Sequence, residues 1–311
     1  PVDLQIATGD GLGYRRRVRL HLEGRRLGFH SPASRRLVQV ERCHVCAPEL
    51  WQAVATLQRH LLDEALIDAA LLRDVLEVEV RLLEDAERPA VRLGMRAGAV
   101  APKKLLDCLS GFAFVADAAG RGQTHALTET TFARLPPGGF VQVNSEVNRL
   151  LLREVLAMAQ ACEAKTALDV YCGVGNFALP LARLGVETLG LELAAEAVRY
   201  ARVAASEQGL KATFRVGDAD RLLGDLAASG KTYDLVVLDP PRKGAKGLAE
   251  LLVKVCRRSL VMVSCDPVTL ARDVADLEKA GLRLTRTMVL DMFPQTHHIE
   301  SLSEFRPIPP G

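Results

Sequence analysis

No stretch of this sequence approaches the ~18 consecutive apolar residues of a membrane-spanning helix, and no signal peptide opens it. These two absences set the expectation of a cytoplasmic protein with no membrane partner. Net charge is scarce as well, +2 over 311 residues, so any basic surface must be local. A secreted disulfide framework is missing: the cysteines are Cys43, Cys46, Cys108, Cys162, Cys172, Cys256 and Cys265, an odd number in a long chain, which suits a reducing compartment. The CxxC spacing of Cys43-His-Val-Cys46 has no second copy, so it offers two ligands where a structural zinc takes four. It reads equally as two unrelated thiols at a turn. There is no internal repeat, no low-complexity tract and no initial Met; an opening on Pro1 suggests a fragment or a trimmed chain. What remains is an ordinary globular composition, 49% hydrophobic and 25% charged, in a chain long enough for about two domains of ~150 residues.

The first half alternates. In "YRRRVRLHL", Val18, Leu20 and Leu22 face one way while Arg15, Arg17, Arg19 and His21 face the other, the pattern of a half-buried strand with a cationic outer face. Such a face is either merely solvated or a phosphate-contacting surface. Residues 48–70 read as a helix, and 76–83, 90–95 and 111–117 as strands, which together make an α+β domain. The turn-rich "LPPGGF" closes this part, and a helix capped by Asn144 or Ser145 follows. The expected domains are therefore 1–140 and 141–311.

From Thr166 onward short apolar strands alternate strictly with helices. This predicts an α/β fold with a doubly wound, mostly parallel sheet, whose ligands sit at the carboxyl ends of the strands. The first strand ends in "DVYCGVGNF", where Gly173 and Gly175 allow a tight turn and close ligand approach. The next ends in Glu192, an acid placed to take both hydroxyls of a ribose, and the third in Asp218, where an adenine amino group could be held. A nicotinamide enzyme and an S-adenosylmethionine enzyme share this geometry. The D-x-x-C-G-x-G-N form favours the second, because it offers a polar cradle for an amino-acid moiety and lacks the usual pyrophosphate-binding helix start.

Three further strand ends carry chemistry: "LDPPRKGA" with Asp239, "VSCDPVTLARD" with Cys265, and "MFPQTHHIES" with Glu300. The topology brings a thiol and two carboxylates to one edge. Asp-Pro-Pro resembles the motif of methyltransferases acting on nitrogen, although Arg242 stands where those enzymes place an aromatic residue.

The motifs "GYRRRVRL", "FVQVNSEVN", "DVYCGVGNF", "LDPPRKG", "VSCDPVTLARD" and "MFPQTHHIES", in that order, resemble those of the RNA 5-methyluridine methyltransferases over nearly the whole chain. The resemblance implies a Rossmann-like, seven-stranded S-adenosylmethionine-dependent domain behind a smaller α+β RNA-binding domain. It implies that Gln142, Tyr171, Asn176, Glu192 and Asp218 contact the cofactor, with Gly173 and Gly175 shaping its turn. Asp239 would lie between cofactor and target base, Phe140 would stack on the flipped uracil, Cys265 would be the nucleophile and Glu300 the base. RNA is the implied partner, with Gln142, Asp239, Arg15, Arg17 and Arg19 on the substrate side, and the family's habit is a monomer. Many members add an N-terminal barrel and an iron–sulfur cluster held by four cysteines; only the fourth has a counterpart here, Cys43. No cluster is expected in this chain. "THHIES" combines features of the ribosomal and transfer RNA members, with the balance toward ribosomal RNA.

The chemistry accounts for the residue types. Carbon 5 of uracil is too weak a nucleophile to take a methyl group unaided. A thiolate adding to carbon 6 makes an enolate, and a separate base must then remove the carbon-5 proton. A stacked base is out of reach, hence extrusion into a pocket. Two alternatives compete: a methyltransferase acting on cytosine or an exocyclic nitrogen, and an RNA-binding module without catalysis. A nitrogen enzyme needs no thiol, so Cys265 separates it from the first reading.

Overall fold

Period-two strands and period-3.6 helices sort this chain into two compact units, Pro1–Gly9 with Thr124–Gly311, and Asp10–Gln123. The structure is a computed structural model and describes residues 3–32, 34–82, 88–114, 123–136 and 139–309, with backbone alone at 3, 4, 113 and 114. Strand β1 (Asp3–Thr8) belongs to the larger unit.

The smaller unit follows β1. Strands β2 (Arg17–Glu23), β3 (Arg26–His30) and β4 (Leu37–Val38) precede helix α1 (Pro48–Leu62); β5 (Val75–Arg81), β6 (Ala90–Met95), α2 (Lys103–Cys108) and β7 (Ala113–Phe114) complete it. The sheet order is β4-β3-β2-β5-β6-β7. One face carries Val18, Leu20 and Leu22 of β2 with Val78 and Val80 of β5, buried in one cluster with Leu50, Val54, Leu57 and Leu61 of α1. The helix is shorter than 48–70. Asp63 ends it by accepting the Ala65 and Leu66 N–H groups on its own side chain, a local turn that competes with the helical ladder. The end of the expected strand 111–117 falls outside the described residues.

The opposite face converges on one carboxylate. Glu79 is 2% exposed and is met by Arg17 at 3.0 Å, Arg81 at 3.0 Å, Arg19 at 3.4 Å and Arg92 at 3.8 Å. Burial opposes its ionisation, but Arg17, Arg81 and Arg92 overcome this and hold the carboxyl below its ordinary value. The expected cationic stripe is thus divided. Arg17 and Arg19 share Glu79, Arg15 has its Nε buried, and of these three only Arg19 is exposed.

In the larger unit a hairpin, β8 (Gln123–Thr128) and β9 (Thr131–Leu135), leads to α3 (Ser145–Ala161). Then come β10 (Thr166–Val170), α4 (Ala178–Arg183), β11 (Glu187–Glu192), α5 (Ala195–Glu207), β12 (Ala212–Val216), α6 (Ala219–Ala228) and β13 (Tyr233–Leu238). The unit ends with α7 (Ala249–Val255), β14 (Cys256–Ser264), α8 (Pro267–Lys279), β15 (Leu282–Asp291) and β16 (Glu300–Pro307). The sheet runs β1-β15-β16-β14-β13-β10-β11-β12. Every neighbouring pair is parallel except β16, which is antiparallel to both β14 and β15. The seven strands expected of the second domain are present, and β1 adds an eighth along β15. All six residues of β13 are buried, as a strand covered on both faces must be.

The division between units falls ahead of the expected boundary near residue 140, because the hairpin packs on α5. Gln208 brackets Phe132, accepting its N–H at 3.1 Å and donating to its carbonyl at 2.7 Å, and Arg134 pairs with Glu207 at 2.7 Å. Helix α7 stops at Val255 where 248–259 reads as one helix; Cys256 onward pairs with β13, so the sheet overrides the local helical pattern.

Glu79→Gln is expected to destabilise the protein by about 3 kcal/mol, since it strands buried guanidinium charge without its counter-ion. Denaturant unfolding checks it. Because the Glu79 carboxyl is held low when folded, its contribution is full at neutral pH and is lost as acid brings the pH down through its folded value.

Candidate active site

The strand order reverses between β10 and β13, the switch point where open α/β sheets open a crevice. Asp169, fully buried one residue before the end of β10, accepts the Ala178 N–H at 2.9 Å and so ties the end of the glycine turn to the strand. Burial first, and the charges of Asp239 and Glu192 after it, push its carboxyl well above the ordinary range. The turn itself needs left-handed backbone at Tyr171 (φ 65°), Gly173 (φ 54°) and Gly175 (φ 93°). At Tyr171 this strain costs about 1–3 kcal/mol, of the kind that collects at functional sites. A Cβ at Gly175 would stand 2.8 Å from Leu179, whereas one at Gly173 would meet nothing within 4 Å: the turn packs inward at one glycine and is open at the other.

Glu192, at the end of β11, accepts the Gly173 N–H at 3.0 Å and the Ala194 N–H at 2.8 Å, which fixes its carboxylate beside the open glycine. Asp218 is exposed and caps α6 through the Asp220 N–H at 3.0 Å, so part of its capacity goes to the helix. Tyr171 packs under this end, its hydroxyl pushed up to about 12 by burial and by Asp220, Asp218 and Asp273. Cys172 is buried with Phe214 against Gly190, where any side chain would collide with both.

Asn176 follows the glycine turn and is held from α3. Its amide is engaged reciprocally with Asn148 of α3, donating at 3.2 Å and accepting at 3.1 Å. Asn148 carries no motif signal of its own; the one local cue is "NSEVN", which places it one helical turn beyond the cap Asn144. Asn144 caps Val147 and keeps its Nδ2 buried without a partner, as Asp169 keeps its Oδ1. Gln142 is buried just ahead of them, and Phe140 stands 68% exposed.

At the other edge the register decides the chemistry. Ser264 of β14 pairs with Ser301 of β16, with Ser301 Oγ donating to the Ser264 carbonyl at 3.1 Å. Cys265 therefore follows its strand at the point where Glu300 begins the facing one. Glu300 is 3% exposed, and burial, aided by the charge of Asp239, pushes its carboxyl up to about 8. Burial pushes Asp239 up to about 6. The Cys265 thiol is raised by burial, then by Glu300 and Asp239, and is drawn back by Arg242. Asp266, the acid next in sequence, turns its carboxylate into the head of α8, accepting the Val268 and Thr269 N–H groups at 2.9 Å each. The two acids that oppose the thiolate come from other strands.

In the smaller unit, the neighbouring Cys46 thiol is the main cause that draws the Cys43 thiol below its ordinary value. An iron–sulfur cluster takes four such ligands. Among the described residues no group of three or more His, Cys, Asp or Glu is gathered as a metal site, so these two thiols do not by themselves fit one.

A doubly wound sheet with this glycine turn at its switch point, closed by an antiparallel last strand, is the fold of an S-adenosylmethionine-dependent methyltransferase. A protein family described as tRNA (Uracil-5-)-methyltransferase matches residues 126–303. The 23S rRNA (uracil(1939)-C(5))-methyltransferase of Shewanella sp. strain W3-18-1 is 33% identical, over 96% of this chain and 70% of its own length. Its counterpart in Marinomonas posidonica is 32% identical over 94% and 69%. The crystal structure of Pyrococcus abyssi tRNA (uracil-54, C5)-methyltransferase with S-adenosyl-L-homocysteine superposes with a TM-score of 0.76, covering 98% of this chain and 78% of that one at 24% identity, which shows the shared fold. The chain belongs to the tRNA (uracil-5-)-methyltransferase family and is an RNA uracil carbon-5 methyltransferase.

If Asn148 holds the glycine turn through Asn176, Asn148→Ala strands a polar amide and should weaken S-adenosylmethionine binding by about 1–3 kcal/mol. Calorimetric titration of the variant with S-adenosylmethionine checks this.

Proposed function

We propose that this protein methylates carbon 5 of a uridine in ribosomal RNA, with Cys265 as nucleophile and Glu300 as base. The observation that carries the roles is the β14–β16 register, which brings the thiol strand and the carboxyl strand together at one edge. The ribosomal substrate is supported by the relatives named as 23S rRNA enzymes, each matched over more than nine-tenths of this chain. Side-by-side methylation of ribosomal and transfer RNA transcripts tests it, and preferential labelling of transfer RNA would overturn it.

The residues at the switch point fit S-adenosylmethionine. The open side of Gly173, the fixed Glu192 carboxylate and the unpartnered buried polar atoms of Asp169 and Asn144 make a cradle that is polar and not closed by side chains. When bound, S-adenosylmethionine supplies the methyl group that carbon 5 takes. Glu192 holds the ribose, Asp218 the adenine end, and Gln142 and Tyr171 border the remainder, while Asn176 acts by keeping the turn in shape. Phe140, exposed ahead of α3, stacks on the extruded base. Asp239, partly protonated near neutral pH, can donate to the uracil edge as well as accept from it.

Cys265 releases its thiol proton to solvent and adds as thiolate to carbon 6; the electron pair moves to the carbon 4 oxygen as an enolate, from which carbon 5 takes the methyl group. Before substrate binds, the raised thiol stays protonated; Arg242 is the nearby cation that favours its ionisation. After methylation Glu300 removes the carbon-5 proton, the double bond re-forms and Cys265 leaves as thiolate. A carboxylate whose conjugate acid titrates near 8 is a far stronger base than an ordinary glutamate, and closer to the operating pH.

Cys265→Ala should form no covalent complex and transfer no methyl group. Glu300→Gln should accumulate a methylated protein–RNA adduct, seen as a denaturation-resistant gel shift carrying label from the cofactor methyl. Equal activity of wild type and Cys265→Ala would sink the nucleophile assignment.

The release step should also respond to pH. Glu300 works as carboxylate, so single-turnover release of product should rise with pH through a midpoint near 8 and level off above it. Quenched-flow measurement between acid and alkaline buffers checks this; a flat profile would remove Glu300 from the step.

A further inference from the structure

The sequence after the nucleophile, "DPVTLARD", ends on two charged residues that the reaction does not use, Arg272 and Asp273. Asp273 lies two turns into α8 and is 2% exposed, and a carboxylate that deep requires partners. Its Oδ2 accepts the Ala245 N–H at 2.8 Å and its Oδ1 accepts the Arg272 Nε–H at 3.0 Å. Arg272 also donates from Nη2 to the Lys243 carbonyl at 2.8 Å. Two neighbouring side chains of α8 thus grip two backbone groups of the turn that leaves β13 immediately after Asp239. Gly244 lets the grip close. Its φ is 74°, and an added Cβ would run into the Asp273 carboxylate and the Arg272 guanidinium.

The sheet supplies no such connection at this level. The β13–β14 ladder ends at the pair Leu238–Met262, whereas the β14–β16 ladder on the other side of β14 runs on through Val263 and Ser264. Asp239 and Cys265 therefore leave adjacent strands with no ladder pair between them. We propose that Arg272 and Asp273 are positioning residues, forming a clasp that fixes the Asp239 turn against the middle of α8, the helix that Cys265 leads into, and so sets the spacing of Asp239 and Cys265 around the target base. The clasp touches no substrate. It rests on the reading of Cys265 as nucleophile, and it gives the "ARD" end of that motif a physical reason. Catalytic groups need supporting side chains that are themselves locked, and a displacement of about 1 Å can cost ~100-fold in rate.

The test uses the full chain with saturating S-adenosylmethionine and a 5-fluorouridine RNA, on which the adduct cannot resolve. The rate of covalent trapping, S-adenosylmethionine affinity and melting temperature are measured for Arg272→Met, Arg272→Lys, Asp273→Asn and Gly244→Ala. Arg272→Met and Gly244→Ala should slow trapping by about 10- to 100-fold, on the scale set for misplaced groups. Arg272→Lys, which keeps a donor for the Lys243 carbonyl, should recover part of the loss, and Asp273→Asn, which can still accept from Ala245, should lose less than Gly244→Ala. Affinity for S-adenosylmethionine should stay within about twofold of wild type in Arg272→Met and Gly244→Ala, because the glycine turn and Glu192 belong to β10 and β11. Unchanged trapping in Arg272→Met and Gly244→Ala would overturn the proposal. So would a parallel loss of cofactor affinity and melting temperature, which marks general support of the fold. Failure of the wild-type protein to trap at all would overturn the nucleophile reading and the clasp with it.

Discussion

The antiparallel insertion of β16 between β14 and β15 is the constraint on which the proposed chemistry depends. A purely parallel sheet needs a crossover between neighbouring strands and sends every carboxyl end to the same edge. Reversing the last strand makes its first residue, Glu300, arrive where β14 delivers Cys265. A thiol and a carboxyl from segments thirty-five residues apart, 265 against 300, become neighbours through backbone hydrogen bonds alone. The edge residues that refine this arrangement act by hydrogen bonding the backbone: Ser301 on the Ser264 carbonyl, and Asp266 on the first N–H groups of α8.

Burial then sets the protonation of the groups so gathered. Glu300, Asp239 and Asp169 each resist ionisation chiefly because they are withdrawn from water, and they reinforce one another where they lie within reach. The consequence is that Glu300 and Asp169 favour the neutral acid, and that the Cys265 thiol is held toward its protonated form. Desolvation is the main reason that the Glu300 carboxyl is raised, and it would give the proposed base its strength. The smaller unit uses the opposite solution. Glu79 is as deeply buried as Glu300 yet stays ionised, because four arginines surround it. The same residue type at similar depth is therefore a raised carboxyl, the proposed base, in one place and the anchor of a cationic face in the other.

That anchoring changes the meaning of the arginine-rich strand. Arg17 and Arg19 alternate in sequence as a face turned to solvent would, yet their guanidinium groups share one carboxylate. Charge left over from such a cluster can still attract phosphate, but in fixed positions. A solvated stripe would have left each side chain free.

Local pattern determined a great deal. The strict alternation after Thr166 specified the doubly wound sheet, because strand and helix periods are properties of the chain itself. The glycines of "YCGVGN", the acids at strand ends and the thiol of "SCDP" could be placed at one edge because a parallel sheet puts all its carboxyl ends there. What the sequence left open depends on partners distant in the chain. "CRRS" carries a helical pattern and becomes strand because β13 offers it a ladder. Asn176 was legible as a motif residue, but that its amide belongs to Asn148, and that Asp273 belongs to Ala245, are pairings between segments with no local signal. The protonation of Glu300 and of Glu79 was equally beyond reach, since it follows from what each is buried among. Residue type and spacing determine which groups reach the edge. Only tertiary packing, which sets distance and dielectric, decides what those groups can do there.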